Sequence, residues 1–206
     1  MNSCSVLDDG AVAPGYVEAL SAIKKILFTT TNDSLTPELI QNIPYASAKL
    51  SIGRGSEGLV ILESIRNKKE TWVSADGVFI VIRDGRIVQT AGLQNNLRDI
   101  FLDYKASEYL KHESIDFISY YNFINPSLNN LKVEVSVKKI GFRKVELYDG
   151  SRELLLYEEY LENKKIGWKE TNQFFYDDDG FIVKSIQSIS PKLPKIYIEV
   201  TKKPAI

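Results

Sequence analysis

The chain has 206 residues, 44% hydrophobic and 26% charged, with 26 basic against 27 acidic side chains and a formal charge of -1. That balance is ordinary for a globular protein and supplies no net field to favour nucleic acid or an anionic membrane surface. No apolar run approaches the roughly 18 residues of a membrane-spanning helix, and one cysteine excludes an internal disulfide and a multi-cysteine zinc site.

Residues 1–13 are small and polar and read as a tether. Within it, Asn2-Ser3-Cys4-Ser5 places a small residue just before the only cysteine. That matches the end of a bacterial lipoprotein signal, where cleavage before Cys4 exposes it for acylation. The hydrophobic part of such a signal is not in the chain. The competing reading is a free thiol in a frayed terminus. Ser5, rather than Asp, after the cysteine suits outer-membrane delivery.

From Tyr16 to Phe28 the apolar residues Tyr16, Val17, Leu20, Ile23, Ile26 and Leu27 recur at helical spacing. Thr36-Pro37-Glu38 starts a second, short helix, with Thr36 as its cap and Pro37 at the first helical position. Pro44 ends it, because the residue before a proline is pushed out of the α region.

From Tyr45 the apolar period changes to two. Strands are expected at 45–52, 58–65, 70–75, 78–83 and 86–90. Two Asp-Gly pairs, Asp76-Gly77 and Asp84-Gly85, separate the last three, which is the sequence signal of type I′ hairpins. In 94–112, Leu97, Ile100, Phe101 and Tyr104 have helical spacing, which suggests a short helix or ordered loop. Strands resume at 115–123, 131–139, 142–148, 152–162, 166–176, 181–189 and 195–202. About a dozen strands joined by short turns must pair antiparallel, since parallel neighbours need crossovers. So long a meander curls into a barrel or folds into two layers. The fold class is therefore mainly β: a large antiparallel meander sheet curled into a barrel-like structure, with short N-terminal helices. Residues 14–206 are expected to form one β-rich domain.

Few residues carry a chemical signal. Gly53-Arg54-Gly55-Ser56-Glu57-Gly58 fits GxGxxG, but no helix follows to hold a pyrophosphate, so a glycine-rich hairpin loop is the better reading. Asp177-Asp178-Asp179-Gly180 resembles the start of a calcium loop, yet position 186 is Ile where such a loop needs Glu. His112, the single histidine, sits between Lys111 and Glu113 and reads as a surface residue. Glu158 and Glu159 are adjacent in a strand and face opposite ways, so they cannot act together as a glycosidase pair. No nucleophile, metal site or cofactor is indicated. Trp72 and Trp168 sit near strand starts and are core residues, or platforms for a sugar ring or partner. Arg86, just after the Asp84-Gly85 turn, can pair with Asp84 or Asp76 or reach into a polar site.

Three blocks together identify a family. Trp72-Val73-Ser74-Ala75-Asp76-Gly77, then Asp84-Gly85-Arg86-Ile87-Val88-Gln89-Thr90-Ala91-Gly92-Leu93, then Tyr176–Gln187 followed by Pro191 resemble the YjbF/GfcB/YmcC-like lipoprotein family. The resemblance implies a β-rich protein with its sheet curled into a barrel, lipidated at Cys4 and facing the periplasm from the outer membrane. It implies an accessory role in capsule or exopolysaccharide secretion or assembly, with polysaccharide or an export-machinery protein as partner. No catalytic activity comes with it. Two alternatives stay open. One is a glycan- or lipid-binding barrel using Trp72, Arg86 and Trp168. The other is a polysaccharide-modifying enzyme, which needs carboxylates from different strands converging in one pocket.

Overall fold

The computed structural model describes residues 36–102, 106–125 and 127–204. These belong to one of the chain's two units, 34–206. The tether, Cys4 and the helix expected over 16–28 lie outside the described residues.

Helix α1 spans Pro37–Gln41, and its first turn closes from Ile40 N to Thr36 O at 3.1 Å. Twelve strands follow: β1 Ser47–Ile52, β2 Gly58–Arg66, β3 Lys69–Ser74, β4 Phe79–Arg83, β5 Arg86–Ala91, β6 Leu97–Leu102, β7 Ser114–Phe123, β8 Leu128–Leu147, β9 Gly150–Asn163, β10 Trp168–Tyr176, β11 Ile182–Gln187 and β12 Ile196–Lys202. They form a single antiparallel sheet in the order β5-β4-β3-β2-β1-β12-β11-β10-β9-β8-β7-β6. Only the β1–β12 pairing joins strands distant in sequence, so the sheet is two meanders stitched at their ends. Its two terminal strands, β5 and β6, come together: Leu97 N donates to Thr90 Oγ1 at 2.9 Å. The sheet is thus nearly closed into a barrel.

Alternation puts one face of each strand inside. Across β2, β3, β4 and β5, Leu62, Trp72, Ile80 and Thr90 sit in register, and Trp72, Ile80 and Thr90 are each about 1% exposed. Tyr121, Val133, Val135, Val137, Leu161 and Trp168 fill the interior from the other side. A second, smaller cluster joins Leu154, Leu156, Phe175 and Val183, with Val145 and Leu147 packed on it. It is pinned by the long β8–β9 hairpin, whose tip reaches β12: Tyr148 N donates to Glu199 Oε1 at 2.6 Å, and Tyr148 OH to Thr201 O at 2.7 Å.

Three expectations change. The 94–112 segment, expected as a short helix or ordered loop, contains strand β6 followed by a short 3-10 helix, Ala106–Lys111. The misleading helical spacing arises from a bulge between Leu97 and Asp99. The extra residue lets Leu97 and Ile100, three apart, both face inward. The strands expected at 131–139 and 142–148 are one strand, β8, kinked by a bulge at Gly141, whose φ is 101°. Of the two Asp-Gly pairs, only Asp84-Gly85 has both residues at positive φ, 50° and 76°. At Asp76-Gly77 glycine alone is positive, at 88°, and Val78 N donates to Ser74 Oγ at 2.9 Å across a longer turn. Asn67 and Lys68, at φ 51° and 62°, make a tight hairpin without any glycine.

Candidate functional site

The Asp84-Gly85-Arg86 turn does not project from the sheet edge. It folds across the interior onto β9, β10 and β11. A Cβ at Gly85 would meet Ile182 Cδ1, so Ile182 would have to shift, and the φ of 76° also favours glycine at this close approach. Gln187 on β11 then completes the edge of β5 as a strand would. Its Oε1 accepts from Ile87 N at 2.9 Å, and its Nε2 donates to Gly85 O at 2.9 Å.

Arg86, 2% exposed, forms a buried ion pair through Nη2 with Glu159 Oε2, where Glu159 is fully buried. Nη2 also donates to Tyr109 OH. The other Glu159 oxygen accepts from Asn172 Nδ2 at 2.9 Å, and Asn172 Oδ1 accepts from Ser188 N at 2.6 Å. Arg86 Nε and Nη1 have no hydrogen-bond acceptor among the described residues. The guanidinium lies instead among the rings of Tyr109, Phe117 and Phe174, with centroids at 5.6, 5.9 and 5.8 Å. Burial pushes the Tyr121 hydroxyl up to about 12, against a smaller lowering by Arg86. Burial likewise raises Tyr109 and Tyr176.

Beside this network a cleft of about 240 Å³ opens between the β4–β5 turn and β11. Trp72, Ile82, Leu110, Tyr176, Ile182 and Val200 give it a mostly apolar lining. Two carboxylates, Glu70 from β3 and Asp84 from the turn, share it. Trp72 Nε1 donates to Glu70 Oε2 at 3.0 Å and fixes that carboxylate. Burial raises the Glu70 carboxyl, the Trp72 hydrogen bond pulls it back, and the Asp84 charge adds a further rise. Among the described residues neither carboxylate has an ion-pair partner.

The sequence-derived candidates fall on both sides of this arrangement. Trp72 lies in the cleft lining but is 1% exposed, so it offers no open ring face. Arg86 meets Glu159, not Asp84 or Asp76. Trp168 is 5% exposed, packs edge-on against Tyr121 at 5.5 Å and does not line the cleft. Cys4 lies outside the described residues. Glu158 faces out, accepting from Tyr160 OH at 2.6 Å, while Glu159 faces in. The Asp177–Gly180 stretch is a turn: Asp177 Oδ1 accepts from Phe181 N at 2.9 Å, and Lys203 Nζ pairs with Asp177 Oδ2 at 2.5 Å. No group of three or more metal-ligating side chains occurs among the described residues.

Reading residues along the chain misses the meeting of Glu70 with Asp84 and the pairing of Arg86 with Glu159. One clue is present: Gly85-Arg86 and Gln187 both sit in the shared family blocks, about 100 positions apart. They are joined in space.

Comparison with known proteins agrees with those blocks. The sequence model of the family described as group 4 capsule polysaccharide lipoprotein GfcB/YjbF matches residues 20–201. A 74-residue stretch is 30% identical to the uncharacterized lipoprotein GfcB of Escherichia coli (strain K12), covering 36% of this chain and 35% of that protein. Over 74 residues the chain is 34% identical to the uncharacterized lipoprotein YjbF of the same organism, with the same coverage. These alignments span about a third of each curated relative. The crystal structure of the hypothetical lipoprotein YmcC from Escherichia coli (K12) superposes with a TM-score of 0.73 at 17% identity, covering 91% of this chain and 97% of that one. That likeness establishes the shared fold. With the family's sequence model matched from residue 20 to residue 201, the chain belongs to the group 4 capsule polysaccharide lipoprotein family, GfcB/YjbF.

Proposed function

We propose that this protein is a non-enzymatic lipoprotein accessory to capsule or exopolysaccharide secretion or assembly, anchored through Cys4 to the outer membrane and facing the periplasm. The observation that carries the reading is family membership over residues 20–201. A diacylglycerol plus an N-acyl chain on Cys4 would supply the two signals that stable anchoring needs. The filled interior supports contact with an export partner over a ligand held in a lumen: Trp72, Arg86, Tyr121, Tyr157 and Trp168 are all 5% exposed or less.

A modifying enzyme would need converging carboxylates, and Glu70 with Asp84 share one cleft. The apolar lining around them offers few further groups to orient a sugar ring. Incubating the purified domain with the cognate polymer tests that alternative, and no change in chain length or substituents is expected. The anchor is tested by metabolic labelling with a clickable fatty acid. Label on the native protein and none on Cys4→Ser is expected; an unlabelled native protein removes the anchor.

A further inference from the structure

We propose that the cleft between the β4–β5 turn and β11 receives the basic side chain of a partner protein, a lysine whose stem covers the apolar lining and whose ammonium meets Glu70 and Asp84. This deepens the partner-contact reading above and rests on it.

Charge complementarity and size select the occupant. Glu70 and Asp84 come from different elements, share one cavity and have no cation of their own among the described residues. Trp72 holds one Glu70 oxygen, so the carboxylate is oriented before anything binds. The only cation among the described residues that line the cleft, Lys184, is directed away: its Nζ binds Glu146 O at 2.9 Å and Glu199 Oε2 at 3.2 Å. The rest of the lining is mostly apolar, and it matches a lysine, which carries its charge on a hydrocarbon stem.

Size and ring exposure select against two rivals. A cleft of about 240 Å³ suits one long side chain and is smaller than the roughly 300–1,000 Å³ pockets that hold whole small ligands. A sugar ring would stack on an open aromatic face; Trp72 and Tyr176, at 1% and 5% exposure, present none, and the half-buried Phe181 ring already carries Lys203 Nζ 5.1 Å from its centroid.

The test is an amide-detected NMR titration of the folded protein with Nα-acetyl-lysinamide, Nα-acetyl-norleucinamide and glucosamine. Norleucine keeps the stem and lacks the ammonium; glucosamine keeps the amine on a sugar. Lysinamide is expected to shift Glu70, Asp84, Gly85 and the Trp72 indole N–H, saturating in the millimolar range. Norleucinamide should bind at least tenfold more weakly, and glucosamine no better than norleucinamide. Glu70→Gln and Asp84→Asn should each weaken lysinamide several-fold. Both changes are isosteric: the glutamine amide oxygen can still accept from Trp72, and asparagine tolerates the positive φ at position 84. Equal binding of lysinamide and norleucinamide, or no shift at these amides, overturns the proposal. Tighter binding of glucosamine overturns it in favour of an amino sugar. The native-protein comparison needs no variant, so a misfolded mutant leaves it decisive. The capsule role is read separately, from cells lacking the gene, so either can fail alone.

Discussion

Replacing Arg86 by Met leaves Glu159 fully buried with no counter-ion. Breaking a buried pair by removing one partner costs about 3–5 kcal/mol, because the remaining charge is desolvated and uncompensated. For a protein of this size each kcal/mol moves the melting temperature by about 2–4 °C, so Arg86→Met should lower Tm by roughly 6–20 °C. That is a large part of the roughly 5–15 kcal/mol available to a typical domain. The double variant Arg86→Met, Glu159→Leu removes both charges and should recover most of the loss. Asn172 Nδ2, which in the native protein bonds Glu159 Oε1, remains without that acceptor at a cost of about 1–3 kcal/mol. Urea denaturation of the two single variants and the double completes the cycle. A loss below about 1 kcal/mol for Arg86→Met, or a double variant as damaged as the sum of the singles, would refute the reasoning.

Gly85→Ala should cost about 2–5 kcal/mol in the same assay, since it combines a positive φ with a collision against Ile182; a neutral result means the turn does not lie against β11. Gln187→Leu strands the Ile87 N–H and the Gly85 carbonyl and should cost about 1–3 kcal/mol, with faster hydrogen exchange at Ile87. Glu70→Gln should raise stability at neutral pH and change nothing at acidic pH. Burial raises the native Glu70 carboxyl, so its charged form is disfavoured by folding and the native protein loses stability as pH rises through that value. In alkali, Tyr121 should titrate near 12, with folding stability falling as pH rises from about 10 towards that value; ultraviolet difference absorbance reads the first and circular dichroism the second.

The period-two pattern and the turn residues place eleven of the twelve strands, with two of the expected strands merging into β8. They fail where a bulge changes the period. Leu97 and Ile100 imitate a helix because one extra residue realigns them inward, and a local pattern cannot register an irregularity set by the partner strand. Asn67-Lys68 shows the same limit for turns: its backbone does what Asp-Gly usually signals, with Asn and Lys in the glycine-like region. The site is less legible. Strand alternation separates Glu159 from Glu158, but the partner of Glu159 comes from β5, far along the chain, and the β4–β5 turn reaches it only because the sheet curls. The family blocks around Gly85-Arg86 and Gln187 are legible as text. Their physical meaning, a turn held across the barrel interior by one amide and one ion pair, needs the third dimension.

The capsule role is tested most directly by cell-surface polysaccharide in a strain lacking the gene, complemented with the native protein or with Cys4→Ser. The account predicts that deletion lowers surface polysaccharide, that the native protein restores it, and that Cys4→Ser does not. Unchanged surface polysaccharide in the deletion strain would contradict it.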